Sequence, residues 1–204
     1  MHLRHLSLTN FRAFSRLDMD VPRHILLLVG DNAQGKTTLL EAVYFLAAFT
    51  SFHASHDRQL INFMAEEENL PFARLVADFE RGGKIHRLEI RLIQDAVGAN
   101  GSRLRKEILM DGVKRTMQEA MGSFNAVLFL PQMTQILEGG PEERRRYLNL
   151  TLSQIVPGYA QALTEYVQVL SQRNALLKQL AERGGDADQL TYWDTLLAQR
   201  GAFL

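Results

Sequence analysis

Hydrophobic and polar positions alternate from the start of the chain. Leu6 and Leu8 alternate with Ser7 and Thr9, and after Asn10-Phe11-Arg12-Ala13-Phe14 a second alternation, Leu17-Asp18-Met19-Asp20-Val21, runs to Pro22. A period of two marks half-buried strands. His24 to Val29 is apolar almost throughout, which predicts a central strand buried on both faces. From Thr38 to Phe49 the period changes. Leu39, Leu40, Val43, Phe45, Leu46 and Phe49 fall on nearly every side of a helix, with Glu41 and Tyr44 its few polar positions, so this helix is expected inside a core. The stretch Thr50 to Asp57 breaks the pattern, and its His53 and His56 read as loop residues rather than metal ligands, with no carboxylate pair beside them.

Strand patterning returns further on. Phe72 to Phe79 and Lys84 to Ile93 alternate around a hairpin turn at Arg81-Gly82-Gly83, and Ile108 to Val113 reads as a strand ending at the Asp111-Gly112 turn. Between them, Ala96 to Ser102 reads as a flexible loop. Residues 72–115 therefore form a β-rich sublobe. Ala126 to Leu130 predicts another buried strand, stopped by Pro131. Gly139-Gly140-Pro141 then opens a helix with Pro at its first position and Glu142 and Glu143 at the positive end of its dipole. Glu142 precedes Arg145 and Arg146 by three and four residues, which predicts ion pairs along that helix.

From Gly158 to Arg183 the pattern is one long helix. Tyr159, Tyr166, Arg173 and Leu180 recur at sevens, with Arg173 the polar interruption, and a helix of this length reaches about 40 Å. Gly184-Gly185-Asp186 stops it, and Leu190, Trp193, Leu197 and Leu204 give a second apolar stripe. An antiparallel helical hairpin is expected over 157–204, an arm or lid on the domain formed by 1–156.

The chemistry lies between the His24–Val29 run and the helix that follows. Gly30-Asp31-Asn32-Ala33-Gln34-Gly35-Lys36-Thr37-Thr38 has the spacing Gly-x-x-x-x-Gly-Lys-Thr of a phosphate-binding loop, in the strand–loop–helix context it requires. Backbone N–H groups can close round phosphate oxygens, and the helix N-terminus adds its positive end. Lys36 would neutralise phosphate charge, the Thr37 hydroxyl would ligate Mg²⁺, and Gly30 and Gly35 permit the turn. Arg12, in the first turn, reads either as a phosphate contact or as a solvated turn residue.

Composition narrows the picture. The 204 residues carry 23 basic and 23 acidic side chains and 46% hydrophobic content, enough for a core but with no overall charge to favour nucleic acid or a membrane surface. Charge is local instead. Residues 57–80 hold six acidic against two basic residues, and 81–115 hold nine basic against four acidic. Arg103, Arg105, Lys106, Lys114 and Arg115 could grip a DNA backbone without reading its sequence, or simply be the solvated outer face of strands. The absence of cysteine excludes disulfides and thiolate metal sites. No apolar run approaches the roughly 18 residues of a membrane span, so a soluble, cytoplasmic protein is expected.

The phosphate loop, Leu8-Thr9-Asn10-Phe11-Arg12, Glu41-Ala42, Leu128-Phe129-Leu130-Pro131, Gly139-Gly140-Pro141 with Arg144-Arg145, and Leu170-Ser171-Gln172-Arg173-Asn174 with Leu176-Leu177-Lys178 together resemble the RecF family of DNA recombination-repair proteins. These are heads of the SMC-type, ABC-class ATPases. The resemblance implies an α/β fold: a P-loop ATPase head lobe with a β-rich sublobe and an antiparallel coiled arm. It implies ATP and Mg²⁺ at Gly30, Asp31, Asn32, Ala33, Gln34, Gly35, Lys36, Thr37 and Thr38, with Arg12 as a further phosphate contact. Gln132 lies near the position of a metal- and water-binding glutamine. It further implies an ATP-dependent homodimer that binds gapped double-stranded DNA at duplex–single-strand junctions and works with RecR and RecO partners to load the RecA recombinase.

Heads of this type complete their site with a Ser-Gly-Gln signature and a strand ending in Asp-Glu, neither of which the 204 residues contain. The chain thus reads as the N-terminal portion of such a protein, expected to bind nucleotide weakly and to hydrolyse it hardly at all. Two alternatives stand beside this reading: a self-contained P-loop kinase or GTPase relative, which would need an acidic Mg²⁺ partner on a later strand, and an SMC-like tethering head, which would need a longer arm.

Overall fold

The computed structural model describes residues 1–67, 71–97 and 101–204, without the side chains of 66, 67, 96, 97, 101, 132, 134, 135 and 137. The chain divides into two compact units, Met1–Gln132 and Met133–Leu204. That boundary precedes the expected one at 156/157 because the helix Pro141–Ile155 packs with its sequence neighbours in the second unit.

The first unit is built on one antiparallel sheet of six strands, β1 (His2–Phe11), β2 (Phe14–Asp20), β3 (Phe72–Arg81), β4 (Lys84–Val97), β5 (Gly101–Met110) and β6 (Val113–Arg115), in the order β2-β1-β3-β4-β5-β6. The two early strands and the later β-rich stretch are therefore a single sheet, joined where Leu8 of β1 stands opposite Leu75 of β3. Period-two patterning sends Leu6, Leu8, Leu75, Ala77, Phe79, Leu88, Ile90, Leu92 and Ile108 into the core. Helix α1 (Lys36–Ala48) adds Ala42, Phe45 and Leu46 to the same cluster. Both expected turns form. Gly82 and Gly83 have φ of 59° and 75°, and Asp111 and Gly112 have 51° and 81°, the left-handed pair that a two-residue hairpin requires. Strands β4 and β5 run further than the sequence suggests, reaching Val97 and starting at Gly101, so little of the expected 96–102 loop remains, and 98–100 lies outside the described residues.

The opposite face of the sheet is closed by charge. Glu89, 7% exposed, accepts from Arg74 at 2.7 Å and Arg91 at 2.6 Å. The Arg74 guanidinium, then Arg91, holds the Glu89 carboxyl below its usual range against the opposing effect of burial. Arg87 reaches both carboxylate oxygens of Asp78 at 2.7 Å.

Two expectations fail. Residues 24–29 and 126–130 are not strands. Ile25 is 85% exposed, Leu27 79%, Val29 83%, Val127 92% and Phe129 84%. Apolar sequence creates a demand for burial, but a strand exists only through the ladder of a neighbouring strand, and neither stretch belongs to the described sheet.

Short elements complete this unit: a 3-10 turn at Asp57–Leu60, α2 (Phe63–Glu67) and α3 (Met117–Ala120), the last closed by a reciprocal cap between Thr116 and Glu119. The second unit holds α4 (Gln135–Glu138), α5 (Pro141–Ile155), α6 (Tyr159–Arg183) and α7 (Gln189–Gly201). Helix α5 has the expected Pro141 start, but its predicted ion pairs do not form: among the described residues Arg145 and Arg146 have no acidic partner, while Arg144 donates to the Gly139 carbonyl at 2.9 Å.

Helices α6 and α7 form the expected antiparallel hairpin. Arg173 pairs with Asp194 at 2.5 Å and Arg200 with Glu165 at 2.9 Å, while Tyr166 lies close against Gly201. The one polar residue in the sevenfold stripe thus becomes the cross-link between the helices. No helix among the described residues is long and apolar enough to cross a membrane.

Candidate functional site: a phosphate-binding loop

The loop from Gly30 to Gly35 runs exposed into the first turn of α1. Ala33 and Gly35 have φ of 65° and 85°. Gly35 is required twice over: its φ suits glycine, and a Cβ there would sit 2.7 Å from the Phe14 ring. The β1–β2 turn therefore packs directly on the loop.

The decisive feature is what the backbone leaves open. Asn32 and Ala33 form a hydrogen-bonded turn, and the first helical bond of α1 is Leu39 N–H to the Gly35 carbonyl at 3.0 Å, so the N–H groups of Lys36, Thr37 and Thr38 stand ahead of the helix's own ladder. First-turn N–H groups at a helix N-terminus, beside a left-handed turn, make a concave anion site. Lys36 folds its ammonium onto the Gly30 and Asp31 carbonyls at 2.6 Å each, holding a positive charge at the mouth of this nest. The Thr37 hydroxyl stands in the same first turn. These residues fit a polyphosphate with its divalent cation.

Arg12 is brought beside this region but is not free. Its Nε and Nη2 donate to the two Glu41 oxygens at 3.0 and 2.8 Å, and Nη1 donates to the Gln59 carbonyl at 3.2 Å. Glu41 is the residue that patterning missed: it reads as a polar position on a core helix, yet it is 2% exposed. The signal was available, since an acidic residue on an otherwise apolar helix requires a buried cation. Gln132 lies in the 3-10 turn Pro131–Thr134, and its side chain lies outside the described residues.

The basic stretch divides. Lys106 turns inward, bonding Asp57 at 2.6 Å and the Phe49 carbonyl at 2.8 Å, 4.9 Å from the Phe45 ring centroid. It is a structural cation, not a surface one. Arg105 pairs with Asp95 at 3.0 Å and with Glu107, and Lys114 pairs with Glu107 at 2.9 Å. Arg103 and Arg115 are exposed and make no ion pair among the described residues.

A family model described as an AAA domain matches residues 5–191. The chain belongs to the AAA domain family. It is 40% identical over 214 residues to the DNA replication and repair protein RecF of Roseiflexus castenholzii, covering all of this chain and 54% of the relative. It is 41% identical over 208 residues to RecF of Thermomicrobium roseum, covering all of this chain and 52% of that one. Two solved structures of the recombination mediator protein RecF in the RecFOR pathway, described as RecF-ATP and RecF-ATPrS, superimpose with a TM-score of 0.83 at 31% identity, over 98% of this chain and 51% of theirs. This AAA domain chain thus spans about half the length of the RecF proteins it matches, and shares their fold over that half.

Proposed function

We propose that this chain is the phosphate-binding part of a RecF-type, ATP-dependent DNA-repair protein. The observation that carries the reading is the left-handed backbone at Ala33 and Gly35 leading into the open first turn of α1, with the Lys36 ammonium held against the Gly30 and Asp31 carbonyls. ATP would be held by that backbone, with Lys36 exchanging the Gly30 and Asp31 carbonyls for phosphate oxygens. Mg²⁺, coordinated in part by the Thr37 hydroxyl, would offset the remaining negative charge. The reading assigns binding, not turnover, to these residues.

On the same reading, the protein acts at gapped double-stranded DNA, dimerises with ATP between its heads, and cooperates with RecR- and RecO-type mediators to load RecA. Arg103 and Arg115 are the first candidates to touch DNA phosphates; Arg105 and Lys114 would have to leave acidic partners to do so. The apolar stretches 24–29 and 126–130 would find their strand partners in the part of the RecF length that this chain does not span.

Titrating the chain with Mg-ATP and following the Gly30–Thr38 amide resonances reads even weak binding. Shifts confined to the loop, with affinity reduced about tenfold or more by Lys36→Ala, are expected, since one charged contact is worth about 1.5–3 kcal/mol. An affinity unchanged by Lys36→Ala would refute the site.

A further inference from the structure

Arg12 is held more firmly than a turn residue needs to be. Its φ of 52° is left-handed, a conformation that costs a non-glycine residue about 1–2 kcal/mol. The backbone around it is clamped: its N–H donates to Leu60 O at 2.8 Å, its carbonyl accepts from Asn62 Nδ2 at 2.7 Å, and the Asn62 N–H donates to Asn10 O at 2.8 Å. The side chain is fixed as well, by both Glu41 oxygens and the Gln59 carbonyl. Glu41 is itself held by the Ser51 hydroxyl, which accepts from the N–H groups of His53 at 2.9 Å and Ala54 at 2.7 Å.

Three parts of the chain thus converge on one guanidinium. A pair serving stability alone could be replaced by apolar residues at little cost, and strain retained under so many constraints points to a geometric task. Two observations place that task at the phosphate loop. Glu41 follows Thr37 by four residues, so it lies on the same face of α1, one turn below the first-turn hydroxyl. Phe14, from the same turn as Arg12, packs on Gly35. The Arg12 side chain keeps 25% of its surface open, and its fork has more N–H groups than its three bonds use.

We infer that Glu41 is a positioning residue, which, with the Gln59 carbonyl, aims the open edge of Arg12 at the polyphosphate of a nucleoside triphosphate seated in the loop. The inference rests on the nucleotide reading above. Glu41 lends direction rather than charge: it fixes the planar fork, which a flexible cation cannot imitate.

The test measures Mg-ATP affinity and melting temperature together for the chain and for Lys36→Ala, Glu41→Gln, Arg12→Lys, Arg12→Gln and the Glu41→Gln/Arg12→Gln double variant. Glu41→Gln and Arg12→Lys are each expected to weaken ATP about tenfold in protein that remains folded, and Glu41→Gln is expected to add nothing once Arg12 is Gln. A merely structural Glu41 would lower the melting temperature and leave affinity alone; that result overturns the inference. Arg12→Lys leaves Glu41 a cation, so the question is still answered if Glu41→Gln does not fold. Should Lys36→Ala leave affinity unchanged, the nucleotide reading falls first, and this inference with it.

Discussion

Strand β3 and the stretch Ile25–Val29 have much the same claim to be buried strands, and only one is. In β3, Leu75, Ala77 and Phe79 are fully buried, because β1 and β4 pair with it on either side and α1 covers its apolar face. In the stretch before the phosphate loop, Ile25, Leu27 and Val29 are largely open to solvent. The difference is one of neighbours, not of residues. A strand's hydrogen bonds and its cover both come from elsewhere in the chain, so its stability is a property of the assembly around it.

The comparison can be broken by paired substitutions. Phe45→Ala, which empties the core between α1 and the sheet, is expected to cost about 3–5 kcal/mol in denaturant unfolding, whereas Leu27→Ala should fall within about 0.5 kcal/mol of the parent. Equal losses would show that Leu27 is packed after all. The charged face of the sheet sharpens the contrast between paired and unpaired groups. Glu89→Ala leaves Arg74 and Arg91 without their shared carboxylate, and the expected loss is about 1–3 kcal/mol, held down because both arginines reach solvent.

The smallest effect belongs to His5, whose Nδ1 and Nε2 meet Asp20 at 2.8 Å and Asp18 at 2.7 Å. Asp20 first and then Asp18 raise its pKa above the ordinary value of 6.5. Charged His5 is favoured in the folded state, so its contribution is complete below about pH 6.5 and disappears as pH rises through the raised value. Unfolding measured across that window should show a slight fall in stability that His5→Gln abolishes.

The alternation of Leu6 and Leu8, the glycine pair at 82–83 and the Asp-Gly turn at 111–112 made the strands and hairpins of the first unit legible in the sequence, because each depends on neighbours within a few residues. The candidate phosphate loop could be proposed from the sequence for the same reason: its glycines, Lys36 and Thr37 are contiguous. What depended on distant partners was not legible. The union of β1 and β2 with β3 to β6, the inward turn of Lys106 to Asp57, and the capture of Arg12 by Glu41 all join residues far apart in sequence, and local pattern carries no register between them.

The borders of the sheet have a consequence for how the chain behaves in bulk. One edge strand, β2, carries Arg16, Asp18 and Asp20, and the other, β6, is three residues long with Lys114 and Arg115. Short, charged margins discourage edge-to-edge growth into fibrils. Colloidal stability is then set by the exposed apolar side chains of Ile25, Leu27, Val29, Val127 and Phe129, where concentrated solutions of this chain are expected to begin to cluster.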